Sequence, residues 1–310
     1  MKTGAKKVII AAFLANLGIA LAKFVASFIS GSSAMLAEAV HSVADTTNQV
    51  FLFIGLKRAK KPPTPLHPFG FGQERYFWTF VVAMSLFVIG GTFSVYEGIA
   101  KSIHPHPLEN LTVSYIVLGV SIVLEGLSFW TAWKEFVRQR GDTPTVNFIR
   151  QTKDPVLVTV LFEDASALLG LLIALVGITL SHITGELFFD GLASVLIGIL
   201  LILVAVFLAW ESKSLLIGES ASPENVHRIL TAVEDTDGIE RVGELLTMHL
   251  GPDQILVNLS LDFNDNLNAE EIEHTTAELE LRIREGVPAA TRIFIEAKNL
   301  APTRHSHPHK

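Results

Sequence analysis

The sequence predicts an α-helical multi-pass membrane domain with six transmembrane helices, followed by a cytoplasmic α+β domain with the element order α-β-β-α-β. Two observations support this fold class. Charged residues make up only 18% of the 310 residues, below the roughly 25% typical of soluble proteins. Charge is also distributed unevenly, since residues 1–210 carry 15 basic and 13 acidic groups whereas residues 211–310 carry 9 and 18. The first segment therefore suits a bilayer and the second suits water.

Composition excludes several classes of function. A single soluble enzyme does not fit a mean hydropathy of +0.43, and the chain contains no HExxH or GxSxG motif, so we do not expect an enzyme. Nucleic acid is an unsuitable partner because phosphate would repel the acidic C-terminal segment. Cysteine is absent. Any metal chemistry must therefore use nitrogen and oxygen ligands.

Six apolar stretches are long enough to cross about 30 Å of hydrocarbon as helices. They are Val8–Ser30, Ser33–Leu56, Tyr76–Ala100, Thr112–Trp133, Pro155–His182 and Leu187–Trp210. Short separations predict that spans one and two, and spans five and six, form tight helical hairpins. We expect a transmembrane domain over residues 1–212, a cytoplasmic domain over 213–300 and a disordered histidine-containing tail over 301–310.

Basic residues differ in number between the two ends of the predicted spans. If both termini share one side, thirteen Lys and Arg residues fall on that side and only Lys101 falls opposite. Because Lys and Arg concentrate in cytoplasmic loops, we expect both termini to be cytoplasmic. The seven residues before the first span are too few for a transit peptide. We therefore expect a bacterial-type cytoplasmic membrane.

The C-terminal domain shows short elements with local start signals. Ser222-Pro-Glu provides an N-cap, a proline at the first helical position and an acidic first turn, which predicts a helix to about Val233. Alternating apolar residues predict strands over Val242–Leu250 and Gln254–Phe263. A charged amphipathic helix over Asn268–Glu285 and a strand over Thr291–Ala297 complete the order.

Ionisable residues inside the predicted spans indicate a cation site. His41 and Asp45 in span two are separated by four residues, so they lie on one helical face, and span five contains Glu163 and Asp164. Charged groups at this depth are costly and usually functional. A structural explanation stays open, in which His41 bonds Asp45 or Asp164 is buried against Lys23. We favour a divalent metal ion, since few basic side chains are available to neutralise these groups.

Other polar residues in the spans carry weaker signals. Interhelical hydrogen bonding is the preferred explanation for five of them: Asn16, Asn48, Gln49, Ser121 and Ser166. Glu97 and Glu125 are candidates for an ion or proton path. Glu38 and Asp190 lie near the outer ends of their spans, where we expect solvent to reach them.

On these residues the chain resembles the cation diffusion facilitator family of proton-coupled divalent-metal exporters. The resemblance rests on six spans, the HxxxD motif in span two, the link containing His67-Pro-Phe-Gly-Phe-Gly, Asp190 at the start of span six, and the C-terminal domain after Ser222-Pro-Glu. The Glu163-Asp164 pair and that link are most similar to the branch of the family that contains zinc transporter nine. The resemblance implies a homodimer with ferredoxin-like, metallochaperone-like cytoplasmic domains.

The resemblance also implies that spans two and five hold the transported ion. His41 and Asp45 match the span-two ligands, and Asp164 matches the span-five aspartate, whereas Val160 stands where the family has a histidine. Glu163 points about 100° away from Asp164 around the helix and would join the site by curling back. Zn²⁺ is the expected ion, although a carboxylate-rich shell makes Mn²⁺, Co²⁺ or Fe²⁺ more suitable than in a two-histidine site.

Two further family sites are altered in this chain. In the link after span two, His67 matches one family ligand, while Thr64 and Phe71 replace the others. In the cytoplasmic domain a binuclear site is not expected, although His249 and Glu296 remain candidates for one weakly held ion. The histidines of the tail segment His305-Ser-His-Pro-His309 are candidates for weak metal binding.

The implied function is export of a divalent cation by alternating access, with protons competing for His41 and the carboxylates. The substrates would be the metal ion and protons, and the partners a second copy of the chain and the lipid bilayer. A different class of function stays open. The missing span-five histidine also suits a metal-responsive regulatory or sensor membrane protein in which transport is vestigial.

Overall fold

The computed structural model describes the backbone of residues 3–299 and the side chains of residues 16–299 apart from three positions, 146, 150 and 151. The tail at residues 301–310, with the candidate ligands His305 and His309, lies outside the described residues. No structural outcome is therefore assigned to these histidines.

The chain divides into two compact units. The first consists of Met1–Arg58 and Arg75–Lys213, and the second consists of Ala59–Glu74 and Ser214–Lys310. The sequence predicts the link Lys57–Arg75 between spans two and three. In the structure the segment Ala59–Glu74 connects the second and third helical segments of the chain, and it also groups with the C-terminal elements.

The first unit begins with a helical hairpin, as the sequence predicts. Helix α1 covers Thr3–Ser30 and helix α2 covers Ser33–Ala59. Gly31 turns the chain between them with φ of +66°, a conformation that favours glycine. The ammonium of Lys101 donates a 2.7 Å hydrogen bond to the carbonyl of Gly31, which anchors the turn to a third helical segment.

That third segment is one continuous helix with a local irregularity. It comprises α3 (Glu74–Ser85), a π-helical stretch (Leu86–Thr92) and α4 (Phe93–Ile103). The sequence predicts the span but not the π-helical stretch. Such stretches occur often at functional positions in helices, although this one lies away from the candidate ligands in sequence.

Four helices complete the described part of the first unit: α5 (Leu111–Arg140), α6 (Thr145–Gln151), α7 (Pro155–Thr184) and α8 (Phe188–Ile217). The short α6 lies in a segment that the sequence predicts only as a connection. Asp154 caps α7 by accepting a 3.1 Å hydrogen bond from the backbone amide of Val156, and Pro155 occupies the first helical position, where no amide hydrogen is needed.

The long helices form a multi-pass membrane domain. Four helical segments of the described chain are long and apolar enough to cross a membrane: Glu74–Ile103, Leu111–Arg140, Pro155–Thr184 and Phe188–Ile217. Large apolar side chains such as Phe28, Ile183 and Leu203 are 64–81% exposed, as expected of a surface that faces lipid. Helices α1 and α2 are the two further predicted spans, and six spans in total remains a prediction.

The membrane helices approach most closely where glycines face one another. A Cβ atom on Gly98 of α4 would lie 2.6 Å from the carbonyl oxygen of Gly191 on α8, and one on Gly198 would lie 2.8 Å from the carbonyl oxygen of Gly91. The α3–α4 helix and α8 therefore pack backbone against backbone, which small residues permit in membrane proteins.

The second unit contains the predicted order α-β-β-α-β. Its elements are α9 (Pro223–Glu234), β1 (Ile239–Gly251), β2 (Gln254–Phe263), α10 (Ala269–Gly286) and β3 (Ala290–Ala297). In the three-stranded sheet β2 is central, antiparallel to β1 and parallel to β3. The result is a small mixed sheet accompanied by two helices.

Local signals explain where these elements begin. Ser222 accepts a 3.3 Å hydrogen bond from the amide of Asn225, and Asn268 forms a reciprocal capping box with Glu271. Alternate residues of β2, beginning with Ile255, point into the core against α9 and α10. The sequence prediction of helix starts and of the buried strand is confirmed.

The segment Ala59–Glu74 packs against the turn between β1 and β2. A Cβ atom on Gly72 would overlap the carbonyl oxygen of Leu250 and lie 2.9 Å from the Gln254 side-chain oxygen. A Cβ on Gly251 would lie 3.1 Å from the Cα of Gly72. Two glycines thus permit direct backbone contact here.

Candidate cation site in the membrane domain

Helix α2 brings His41 and Asp45 together. The Nδ1 atom of His41 lies 3.4 Å from Oδ1 of Asp45, with the His41 side chain fully buried and that of Asp45 20% exposed. The four-residue spacing places the imidazole and the carboxylate on one face. The two atoms are close but form no hydrogen bond, so the structural alternative of a His41–Asp45 hydrogen bond is not what the structure shows.

Glu163 on α7 faces α2. Its Oε1 atom accepts a 2.7 Å hydrogen bond from the side-chain amide of Asn48, and both side chains are buried. The predicted role of Asn48 in interhelical hydrogen bonding is confirmed.

Asp164, the next residue on α7, faces a different helix. Its Oδ2 atom accepts a 2.9 Å hydrogen bond from the hydroxyl of Ser128 on α5. Successive helical residues project about 100° apart, which explains the divergence. The sequence interpretation assigns Asp164 the more direct role, whereas in the structure Glu163 makes the contact with α2. Nothing in the sequence interpretation singled out Ser128.

Helices α1, α2, α5 and α7 enclose a cavity whose wall is rich in oxygen. Its lining consists of Asn16, Ile19, Ser42, Asp45, Gln49, Leu124, Glu125, Ser128, Val160, Glu163 and Asp164. Three of the four predicted ligands are on this wall, and among the described residues His41 is not. Glu125, predicted only as a possible path residue, adds a carboxylate from α5.

The predicted ligands do not converge on one point in this arrangement. Among the residues with described side chains, no group of three or more His, Asp or Glu side chains is placed to hold a metal ion. The hydrogen bonds from Asn48 and Ser128 direct Glu163 and Asp164 toward separate helices. Coordination of one ion by His41, Asp45 and both of these carboxylates would require rearrangement of side chains or helices.

Val160 lies on the cavity wall one turn before Asp164. This is the position at which the family resemblance places a histidine. Because Val160 is aliphatic, most of the polar atoms on the cavity wall are carboxylate, amide and hydroxyl oxygens. Oxygen ligands favour harder divalent cations more than imidazole does.

A second, wider cavity adjoins the first. Both are lined by Ser128, Val160 and Asp164, so the two cavities meet at this part of the wall. The wider cavity extends to Arg75 and Asp154, which form a 2.8 Å salt bridge. The wider cavity therefore extends from Asp164 to the end of the helix bundle at which α3 and α7 begin.

Two predictions of solvent-exposed carboxylates are wrong. The Glu38 side chain is fully buried, with Oε2 at 3.1 Å from the ammonium of Lys23. The structural alternative that pairs Lys23 with Asp164 is replaced by this contact. Asp190 is also fully buried: its carboxylate accepts a 2.7 Å hydrogen bond from the backbone amide of Ser33. In both cases a polar group from another helix offsets the cost of removing the carboxylate from water. The position of a residue along its span does not reveal such a partner.

The other candidate ligands are separated in the structure. His67 packs its ring on Phe71 with 4.6 Å between centroids. In the sheet, His249 lies opposite Ile255 of β2 and Glu296 lies opposite Ser260 of β2. These two β2 positions are five residues apart, so His249 and Glu296 are separated by about 17 Å along the strand direction. His249 and Glu296 therefore do not share one ion in this sheet.

Comparison with known proteins identifies two matching family models. Residues 9–217, more than half of the chain, match the cation efflux transmembrane domain, and residues 221–298 match the cytoplasmic domain of cation efflux proteins. Both are domains of transporters rather than of enzymes.

Individual relatives agree with these matches. The chain is 33% identical to the mouse (Mus musculus) protein named mitochondrial proton-coupled zinc antiporter SLC30A9, over 84% of this chain and 46% of the relative. It is 30% identical to metal tolerance protein C4 of Arabidopsis thaliana, over 79% of this chain and 54% of the relative. A Bacillus velezensis protein named cadmium, cobalt and zinc/H(+)-K(+) antiporter is 24% identical over 97% of this chain and 90% of its own length. The chain thus spans about half the length of the first two relatives.

Proposed function

We propose that this chain, which belongs to the cation diffusion facilitator (cation efflux) family, exports a divalent metal ion across its membrane in exchange for protons. The observation that carries the proposal is the cavity in which Asp45, Glu163 and Asp164 lie together between membrane helices. Carboxylates at this depth are costly without a cation partner. A transported dication would supply one.

The proposed ligands are His41, Asp45, Glu163 and Asp164. Asp45, Glu163 and Asp164 line a cavity that adjoins a wider one reaching the Arg75–Asp154 end of the helices, which supports entry of the ion from that side. In the mechanism that we propose, the ion displaces the Ser128 donor from Asp164, while Asn48 keeps Glu163 turned toward α2. Protons arriving from the opposite side then compete for the same ligands and release the ion.

Zinc is the first candidate for the ion because two relatives with zinc in their names are 32–33% identical to this chain over 84% of its length. Val160 on the cavity wall argues for a second possibility. A site with one imidazole and several carboxylates also suits Mn²⁺, Co²⁺ or Fe²⁺. The relative affinities of the site for Zn²⁺, Mn²⁺, Co²⁺ and Fe²⁺ decide which ion is transported.

We further propose the organisation that the sequence predicts: six spans over residues 1–212, a dimerising cytoplasmic domain over 213–300, and both termini on the cytoplasmic side. The match to the cytoplasmic domain of cation efflux proteins supports a homodimer. A bacterial-type cytoplasmic membrane is proposed from the distribution of Lys and Arg. The names of the mouse and human relatives, in contrast, assign those proteins to mitochondria.

The test is metal-driven proton movement in proteoliposomes that contain a trapped pH indicator. Zinc added to one side is expected to drive protons through the wild-type protein, and Asp45→Ala and Asp164→Ala are expected to abolish the signal. Glu109→Ala removes an exposed carboxylate in the connection before α5 that does not line the cavity and is expected to transport normally. Normal transport by both aspartate variants would show that the site is assigned incorrectly.

The separated ligands favour a second candidate function, a metal-responsive regulatory membrane protein. In that case metal binding would alter the cytoplasmic domain without net flux. Zinc-dependent change in hydrogen exchange of α9 and α10, together with no flux for any of zinc, manganese, cobalt, iron or cadmium, would support the regulatory function over transport.

A further inference from the structure

Lys23 and Glu38 form an ion pair inside the membrane domain. The ammonium of Lys23 lies 3.1 Å from Oε2 of Glu38, and both side chains are fully buried. The same ammonium donates a 2.7 Å hydrogen bond to the hydroxyl of Ser42. An ion pair removed from water gains little net stability relative to a well-packed apolar pair, so stability alone does not explain why these two charges are buried here.

The pair adjoins the wall of the carboxylate-rich cavity. Ser42, which accepts the hydrogen bond from Lys23, lines that cavity together with Asp45. Glu38 precedes Asp45 by seven residues, so it lies on the same face of α2 about 10 Å farther toward the α1–α2 turn. The ion pair is therefore located beside the cavity on its α1–α2 side.

A third helix encloses Glu38. A Cβ atom on Gly170 of α7 would overlap Oε1 of Glu38, so the carboxylate fills the space between α2 and α7 that a side chain at position 170 would otherwise occupy. Lys23 of α1 contacts the other carboxylate oxygen of Glu38. The ion pair therefore lies where α1, α2 and α7 pack together.

The two ends of the cavity differ. On the side of Arg75 and Asp154 the cavity adjoins the wider one. Toward the α1–α2 turn the α2 face leads to buried groups, first the Lys23–Glu38 pair and then the Asp190–Ser33 contact. A cation that leaves Asp45 in that direction passes His41 and then meets Glu38, with the ammonium of Lys23 already in place.

We propose that the Lys23–Glu38 ion pair is the gate that closes the cation path on the side of the α1–α2 turn. The proposal rests on the proposed transport function. Lys23 occupies the position beside Glu38 that a passing cation would use, and opening this side requires the two charges to separate. Both are positioning residues for transport rather than ligands in the cavity.

The test uses the absence of cysteine from the chain. Ile19→Cys places a single thiol on the cavity wall, and a membrane-impermeant maleimide is added to either side of proteoliposomes. Single cysteines at Glu186 and at Asp142, in connections at opposite ends of the helices, report the orientation. With Lys23 and Glu38 intact, labelling of position 19 is expected from the Asp142 side only.

Loss of the pair is expected to open the other side. Lys23→Met and the neutral double variant Lys23→Met/Glu38→Gln should increase labelling from the Glu186 side about tenfold or more, as a shift of the two-state equilibrium toward the open form. The charge-swapped variant Lys23→Glu/Glu38→Lys should restore closure. Lys101→Met is the matched control, because it removes another buried lysine at the same end that bonds the Gly31 carbonyl and leaves the Lys23–Glu38 pair intact. It should label from the Glu186 side far less than Lys23→Met does.

Unchanged labelling in the double variant, with normal reactivity from the Asp142 side to show a folded protein, would overturn the gate. The double variant leaves no unpaired buried charge and therefore covers the case in which Lys23→Met alone fails to fold. Zinc flux through the wild-type protein is measured separately. Absence of flux would refute the proposed function, whereas unaltered labelling in a protein that transports zinc would refute the gate alone.

Discussion

Glu163 on α7 accepts a 2.7 Å hydrogen bond from the side-chain amide of Asn48 on α2. Asn48 lies seven residues after His41, on the same face of α2. The amide therefore fixes an α7 carboxylate beside the helix that carries His41 and Asp45. A hydrogen bond of this kind contributes roughly 0.5–1.5 kcal/mol, enough to favour the orientation of Glu163 toward α2.

Replacement of Asn48 by Leu is expected to weaken zinc binding about 10- to 100-fold, the usual effect of losing a residue that orients a metal ligand. Without the amide donor, Glu163 loses its defined direction toward α2. Titration calorimetry of the purified protein in detergent measures the affinity.

Gln49→Leu is the matched control for this experiment. Gln49 is the neighbouring amide and also lines the cavity, but no hydrogen bond joins it to Glu163 among the contacts described for that carboxylate. Equal zinc affinities for both variants would contradict the orienting role of Asn48.

Replacement of Val160 by His is expected to shift ion preference toward zinc. The new imidazole would stand on the cavity wall one turn before Asp164, and borderline nitrogen ligands favour Zn²⁺ over Mn²⁺ more than carboxylates do. We expect the ratio of zinc to manganese affinity to increase by about tenfold, or roughly 1.4 kcal/mol. Competition between the two ions, measured by metal content after dialysis, gives the ratio.

Val160→Asn is the control for adding polarity at this position, since an amide is a weaker ligand for zinc than imidazole. A similar shift in both variants would show that polarity, and not the imidazole, changes the preference. No shift in Val160→His would place the ion away from this part of the wall.

The parts of the structure that follow from local sequence are predicted well. The N-cap residues Ser222 and Asn268 define helix starts within their own first turn, and alternation in β2 identifies the buried face. The i, i+4 contact between His41 and Asp45 is likewise set by helical geometry.

The partners of the α7 carboxylates do not follow from local sequence. Ser128 and Asp164 are 36 residues apart, and Asn48 and Glu163 are 115 residues apart. Their contacts depend on how each helix is rotated about its axis, which is decided by the packing of the whole bundle. The burial of Glu38 depends in the same way on Lys23 from another helix.

Replacement of Gly72 by Ala is expected to loosen the contact between the segment 59–74 and the β1–β2 turn. The added Cβ would overlap the carbonyl of Leu250, and forcing an extra carbon into a packed contact costs about 1–3 kcal/mol. Faster hydrogen exchange at Leu250–Gln254 in the full chain is the expected result.

Gly286→Ala is the control for this variant, because nothing lies within 4 Å of a Cβ at that position. Its exchange at the turn should match that of the wild type. Unchanged exchange in Gly72→Ala would show that the segment adapts without leaving the turn.

Replacement of Gly98 by Ala is expected to destabilise the membrane domain by about 1–3 kcal/mol. The new carbon would lie 2.6 Å from the carbonyl oxygen of Gly191 and 2.7 Å from Val195, so α4 and α8 would have to separate. Gly119→Ala on α5 is the matched control, since a Cβ there meets nothing within 4 Å and alanine is the better helix former by about 1 kcal/mol. Thermal unfolding in detergent should therefore show a lower midpoint for Gly98→Ala and an equal or higher one for Gly119→Ala. Equal midpoints for the two variants would mean that the α4–α8 contact does not limit stability.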